Sequence, residues 1–200
     1  MPAAVSTRSR ILDRAIALAS VDGLGGLTLG RLADDVGMSK SGLFAHFRSK
    51  EELQLQVLDE TIARFQARVI APAFRAPRGE ARLRALYEHW VRFSDDPQTP
   101  GGCLMTQVAT ELDDQPGAPR DRLADVLRQW RRLLADAVRL AIEVGDFRAD
   151  TDPEQFAFQM QGIMLARHQS SRLLQEPDAN ERSRRAFDAL VAAARPARAP

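Results

Sequence analysis

Residues 28–52, TLGRLADDVGMSKSGLFAHFRSKEE, constrain this chain more than any other stretch, because they place two short helices and a third helix start around one glycine turn. Thr28 is positioned to cap a helix whose apolar residues Leu29, Leu32, Ala33 and Val36 recur at i, i+3, i+4 and i+7. Gly37 then ends it, since glycine alone takes the left-handed conformation of a tight turn at no steric cost. Ser39 caps the next helix, whose first turn, Lys40-Ser41-Gly42, is small, polar and basic. An end of that kind can enter a DNA groove, with little bulk to hold it off and donors for phosphates and base edges. Ser49-Lys50-Glu51-Glu52 reads as a capping box that opens a long helix at Leu53. The unit fits helix-turn-helix recognition of DNA.

Elsewhere the apolar spacing is helical, and no strand alternation or internal repeat is visible. A first helix is expected from Ser6 to Val21, with Ile11, Ala15, Leu18 and Ala19 inward, followed by a turn over Asp22–Gly26. The fourth helix runs from Ser49 past Phe65 to Ala71, where Pro72 interrupts. It is expected to be the only continuous link between an N-terminal head and the rest, so any signal between them should travel along it. Further helices are expected over Glu80–Phe93, Cys103–Leu112, Arg120–Val144, Pro153–Leu174 and Asn180–Ala194. The eighth, Pro153–Leu174, differs in kind, since Phe156, Phe158, Met160, Ile163, Met164 and Leu165 cover more than one face. A helix apolar on several sides needs several buried contacts, and a second subunit is the expected cover. The ninth carries Ala186, Phe187, Ala189, Leu190 and Ala193, small enough for close packing. A homodimer through the eighth and ninth helices follows.

Charge is unevenly placed. Residues 1–50 hold seven basic side chains against four acidic ones, an excess of three, whereas the whole chain is only +1. A basic head on a slightly acidic body suits DNA contact at one end. Two hundred residues with 44% apolar content suffice for one domain, or for two small ones sharing a core. The division expected is a DNA-binding domain over 1–50 and a helical ligand-binding and dimerisation domain over 51–200. No apolar run approaches the roughly 18–20 residues of a membrane span and no signal-peptide core is present, so a soluble, cytoplasmic protein is expected.

Chemistry-bearing motifs are scarce. The sequence has no metal-spaced histidine pair and no cysteine pair, and it lacks both G-x-S-x-G and a phosphate-binding glycine loop. An enzyme is therefore not expected, nor any metal or cofactor. Cys103, the single cysteine, reads as a small buried hydrophobe; the other reading is a thiol made acidic by a helix N-terminus. Glu111-Leu112-Asp113-Asp114, beside PGAP, reads as a solvated loop. Arg128, Arg131, Arg132 and Arg139 read as a solvated face.

The segment SKSGLFAHFRSKEEL closely resembles the end of the DNA-binding domain of tetracycline-repressor (TetR-type) regulators, and the likeness extends over about the first quarter of the chain. The resemblance implies an all-helical homodimer, with an N-terminal three-helix DNA-binding domain and a larger helical domain holding an effector pocket. By it, Lys40 and Lys50 would neutralise phosphates, while Thr28, Ser39, Phe44 and His46 fix the head on the DNA backbone. Arg31, Ser41, Gly42 and Leu43 would lie nearest the bases. Phe44 departs from the family, where tyrosine is usual, and so lacks a hydroxyl for a phosphate. The pocket implied by the family is assigned to Trp90, Phe93, Met105, Val108, Trp130, Leu134, Met164 and His168.

The function that follows is a ligand-responsive repressor on a palindromic operator. A small-molecule effector would select a spacing of the two heads that no longer matches successive major grooves, roughly 34–36 Å apart. The alternative is a DNA-binding organiser whose body recruits a protein and takes no small molecule. A closed ligand-sized cavity favours the first, and a packed core with an exposed apolar patch the second.

Overall fold

The computed structural model describes residues 6–197, and every regular element among them is helical. The helices are α1 Thr7–Gly26, α2 Leu29–Val36, α3 Lys40–Phe44, α4 Lys50–Phe65, α5 Ala71–Ala73, α6 Glu80–Ser94, α7 Leu104–Gln107, α8 Ala109–Leu112, α9 Ala118–Glu143, α10 Pro153–Arg172 and α11 Ala179–Ala194. Packing groups the described residues into two compact units, one of residues 6–65 with 94–125 and the other of residues 66–93 with 126–197.

In the first unit α1 is the hub, packing against α2, α4, α7 and α8. Ser6 caps it, accepting the Ser9 amide, and Ile11, Leu12, Ala15, Ile16 and Ala19 form its buried stripe. The expected turn over 22–26 is a kink at Gly23, with φ 75° and ψ 172°, after which one more helical turn follows. The expected helix over 103–112 breaks in two at Val108, whose φ and ψ of −92° and −1° leave α7 and α8 as single turns.

The packing of α7 and α8 corrects the expectation that the fourth helix is the sole path to the head. Both lie on α1, and α7 also touches α4. The chain passes between the two units three times, at 65/66, 93/94 and 125/126. The fourth helix itself changes character, since Gln66–Ile70 is a π-helical turn directly before α5. Pro72 has no amide to return to the carbonyl four residues back, which removes one α-helical bond at this point.

In the second unit α10 packs along α11. Phe156, Met160 and Met164 are buried, whereas Phe158 and Leu165 are 60% and 47% exposed. On α11, Phe187 and Val191 face inward and Ala186, Ala189 and Ala193 are exposed. Tyr87 of α6 stacks on Phe187, with ring centroids 4.3 Å apart, and its hydroxyl pairs with Ser183. No helix among the described residues is long and apolar enough to cross a membrane.

Candidate nucleic-acid interface

Each helix of the motif begins at a side-chain cap, and α2 stops at a defined backbone break. Thr28 accepts the Arg31 amide at 3.2 Å and so fixes the start of α2. Gly37 ends it in the left-handed region, φ 69° and ψ 33°, with its amide returned to Ala33 and Asp34. Ser39 accepts the Gly42 amide at 3.1 Å and starts α3. At Gly30 a Cβ would stand 3.3 Å from Lys40 Cε, so the start of α2 and the lysine of α3 lie close together. Ser49 accepts the Glu52 amide at 3.0 Å, and Glu52 reaches back to the Arg48 amide at 2.9 Å, one residue earlier than a standard capping box.

These caps leave an exposed polar ridge on a buried apolar base. Thr28, Arg31, Ser39, Lys40, Ser41, Phe44 and Lys50 are exposed, and Gly42 and His46 are half-buried. Leu43 is not part of the ridge. Its side chain is fully buried with Phe47 and Leu53, so it cannot lie nearest the bases as expected, and it anchors α3 instead. Hydrophobicity at the fourth position of a five-residue helix is a packing signal before it is a contact signal.

Ion pairs orient the ridge. Arg14 of α1 grips the Asp35 carboxylate of α2 with two bonds, at 2.7 and 2.9 Å, and Arg14 holds the Asp35 carboxyl below its usual range. Arg31 pairs with Asp22 at 2.8 Å. The Lys50 ammonium donates to the Gly25 carbonyl at 2.6 Å. Lys40 is exposed and has no carboxylate partner among the described residues. Beside the ridge, residues of α1 and α2 line an open cleft of about 340 Å³, with Arg10 and Asp35 on its walls.

One acidic side chain stands in a different place from the one its sequence context implies. Glu111 does not sit in a solvated loop: its carboxylate accepts the Leu24 amide at 2.9 Å and the Gly25 amide as well. Those two amides open the turn beyond the Gly23 kink, where a helix start has unpaired donors. A carboxylate is the natural acceptor there. The only sequence signal was the glycine density of DGLGG, which marks a close approach without naming the visitor.

The residues assigned to an effector pocket divide between the units. Met105 and Val108 are buried in the first. Trp90, Phe93, Trp130, Leu134 and Met164 are buried in the second, where His168 is half-buried. Burial, with Arg172 and Arg167 nearby, lowers the His168 pKa and favours the neutral ring. A buried charge missing from the expected set joins the second group: Arg167 is 3% exposed, lies over the Trp90 ring at 5.6 Å, and donates to Asn180 at 2.7 Å. Cys103 is buried and burial pushes its thiol pKa up, which removes the acidic-thiol reading. Arg128, Arg131, Arg132 and Arg139 of α9 are exposed, as expected of a solvated face. With Leu127, Ala135 and Glu154 they line a groove of about 430 Å³, in which Arg139 pairs with Asp136 and Glu154 while Arg131 bonds Gln161. Among the described residues no group of three His, Cys, Asp or Glu side chains is placed to hold a metal ion.

Two family models match the chain, one described as bacterial regulatory proteins of the tetR family over residues 11–57 and one as the tetracyclin repressor-like C-terminal domain over residues 79–187. The HTH-type transcriptional repressor KstR2 of Mycobacterium tuberculosis is 28% identical over 151 residues, covering 74% of this chain and 72% of that protein. A TetR transcriptional regulator from Chloroflexus aurantiacus J-10-FL is 26% identical with a TM-score of 0.80, covering 93% of this chain and 92% of that one. AibR, solved in complex with isovaleryl coenzyme A and operator DNA, has a TM-score of 0.73 over 94% of this chain and 98% of its own. At 21% identity that likeness is one of fold.

Proposed function

The chain belongs to the TetR family of bacterial transcriptional regulators, and from that premise we propose that it is a ligand-responsive repressor. It binds a palindromic operator as a homodimer and is released by a small-molecule effector. The observation that carries this reading is the capped α2–turn–α3 unit, which presents Lys40 and Ser41 on an exposed end held by a buried Leu43. KstR2 is a repressor, and AibR, which shares the fold, holds a small molecule and operator DNA in one complex.

In this reading residues 1–50 are the DNA-binding head and 51–200 the ligand-binding and dimerisation body. Lys40 and Lys50 neutralise phosphates, and Thr28, Ser39, Phe44 and His46 rest on the backbone. Arg31, Ser41 and Gly42 stand nearest the bases. The dimer forms through α10 and α11, supported by the exposed Phe158 and Leu165 and by the exposed alanines of α11. The effector is held in the second unit, among Trp90, Phe93, Trp130, Leu134, Met164 and His168. An organiser that recruits another protein would instead use the exposed Phe158 and Leu165 of α10 as its partner surface and would take no small molecule.

Two measurements test the reading. Selection from a random duplex pool should recover sites with two-fold symmetry. Lys40→Ala should weaken binding to all duplexes alike and lower the log–log salt slope by about 0.9, one phosphate's worth. Recovered sites without a two-fold repeat, or an unchanged slope, would overturn it.

A further inference from the structure

The segment that follows α6 is fastened to α1 at two points, one on each side of the Gly23 kink. Before the kink, the Gly101 amide donates to Ser20 Oγ at 3.0 Å, and a Cβ at Gly101 would fall 1.6 Å from the Ser20 carbonyl oxygen. The two backbones therefore touch, and only glycine lets them. Beyond the kink, the Glu111 carboxylate occupies a cradle made by the missing side chains of Gly23 and Gly25. A Cβ at the first would lie 2.2 Å from Oε2, and one at the second 2.8 Å from Oε1.

The same dipeptide is held from its other side by α4. The Leu24 carbonyl accepts Gln54 Nε2 at 2.9 Å, and the Gly25 carbonyl accepts Lys50 Nζ at 2.6 Å. Leu24 and Gly25 thus give their amides to Glu111 and their carbonyls to the first turns of α4. Leu27, which is buried, and Thr28, the cap of α2, follow directly. One bond to the Gly25 carbonyl fixes where the Lys50 ammonium stands and leaves its remaining donors for a phosphate.

We propose that Glu111 is a positioning residue for DNA binding, which acts through the Leu24–Gly25 peptide groups to place the Lys50 ammonium and the start of α2. Because Glu111 follows Met105 and Val108 in one short segment of the same unit, a displacement of α7 and α8 reaches the head through this carboxylate. The inference rests on the DNA-binding reading above.

The sign of the effect separates positioning from plain electrostatics. Removing an acid from a DNA-binding protein should tighten nonspecific binding, since a like charge is lost. Positioning requires the opposite. The test measures affinity of the full chain for a mixed-sequence DNA duplex across a salt series, together with amide hydrogen exchange at Leu24 and Gly25. Glu111→Ala should weaken binding about tenfold. It should also lower the salt slope by ~0.9 and speed exchange of both amides. Gly25→Ala, which drives the carboxylate out from the other side, should do the same. In a Lys50→Ala background, Glu111→Ala should add little to the affinity loss and nothing to the slope. The control Asp114→Ala should bind slightly tighter than wild type. Should Glu111→Ala fail to fold, Glu111→Gln carries the test, because it keeps the shape and one acceptor oxygen, and a smaller loss of the same sign is expected. Wild-type or tighter binding by the Glu111 variants, or an undiminished loss in the Lys50→Ala background, overturns the proposal. Absence of salt-dependent duplex binding by the wild type would instead overturn the DNA-binding reading itself.

Discussion

Replacing Glu80 by glutamine tests how the second unit ties its last helix to its first long one. The Glu80 carboxylate, at the start of α6, accepts two bonds from Arg195 just past α11, at 2.7 and 2.5 Å, and a third from Arg84 at 2.7 Å. Arg84 also reaches Asp188 at 2.6 Å. Arg195 first, and then Arg84, outweigh the opposing effect of burial and bring the Glu80 pKa down from 4.5 to about 2. A depressed carboxylate contributes stability that is complete above its unfolded value and is lost as pH falls through the folded one. The window therefore runs from about 4.5 down to about 2. The full shift would correspond to roughly 3 kcal/mol, but the guanidinium of Arg195 is half exposed and screened, so about 1–2 kcal/mol is expected. Urea unfolding at fixed protein concentration should show Glu80→Gln less stable than wild type by that amount at pH 7. The difference should shrink as pH falls below about 4.5 and be mostly gone at pH 2. A difference that stays constant over this range, or that is absent at pH 7, would refute the reasoning.

Leu43→Ala should cost about 2–5 kcal/mol by opening a cavity under α3, whereas Ser41→Ala should leave stability within about 0.5 kcal/mol and change preference among operator sequences; thermal melting and competition binding check the pair. Gly101→Ala should destabilise the first unit by about 3 kcal/mol, since its Cβ meets backbone rather than a yielding side chain, and a melting temperature equal to wild type would count against that contact. Phe158→Arg should leave the fold intact, because that ring is 60% exposed in the single chain, and should yield monomer in sedimentation; a stable dimer would place the interface elsewhere.

The helix boundaries of the recognition motif were legible in the sequence because their causes are local. Thr28, Gly37, Ser39 and Ser49 each act on backbone groups within a few residues, so spacing alone located α2, α3 and the start of α4. The uneven burial of α10 was legible for the same reason, since a helix of known period with apolar residues on several faces leaves some uncovered. What the sequence could not settle was which neighbour each side chain meets. Leu43 and Phe44 are adjacent and equally apolar, yet one is fully buried and the other 49% exposed. That difference depends on the direction in which a five-residue helix enters the core. Glu111 read as solvated because its partners lie 86 and 87 residues away. Cys103 had a helix start that could have made it acidic, and complete burial reversed the sign. Local hydrogen bonding is encoded within a turn of chain, but burial and long-range acceptor choice belong to packing, which only the folded chain decides.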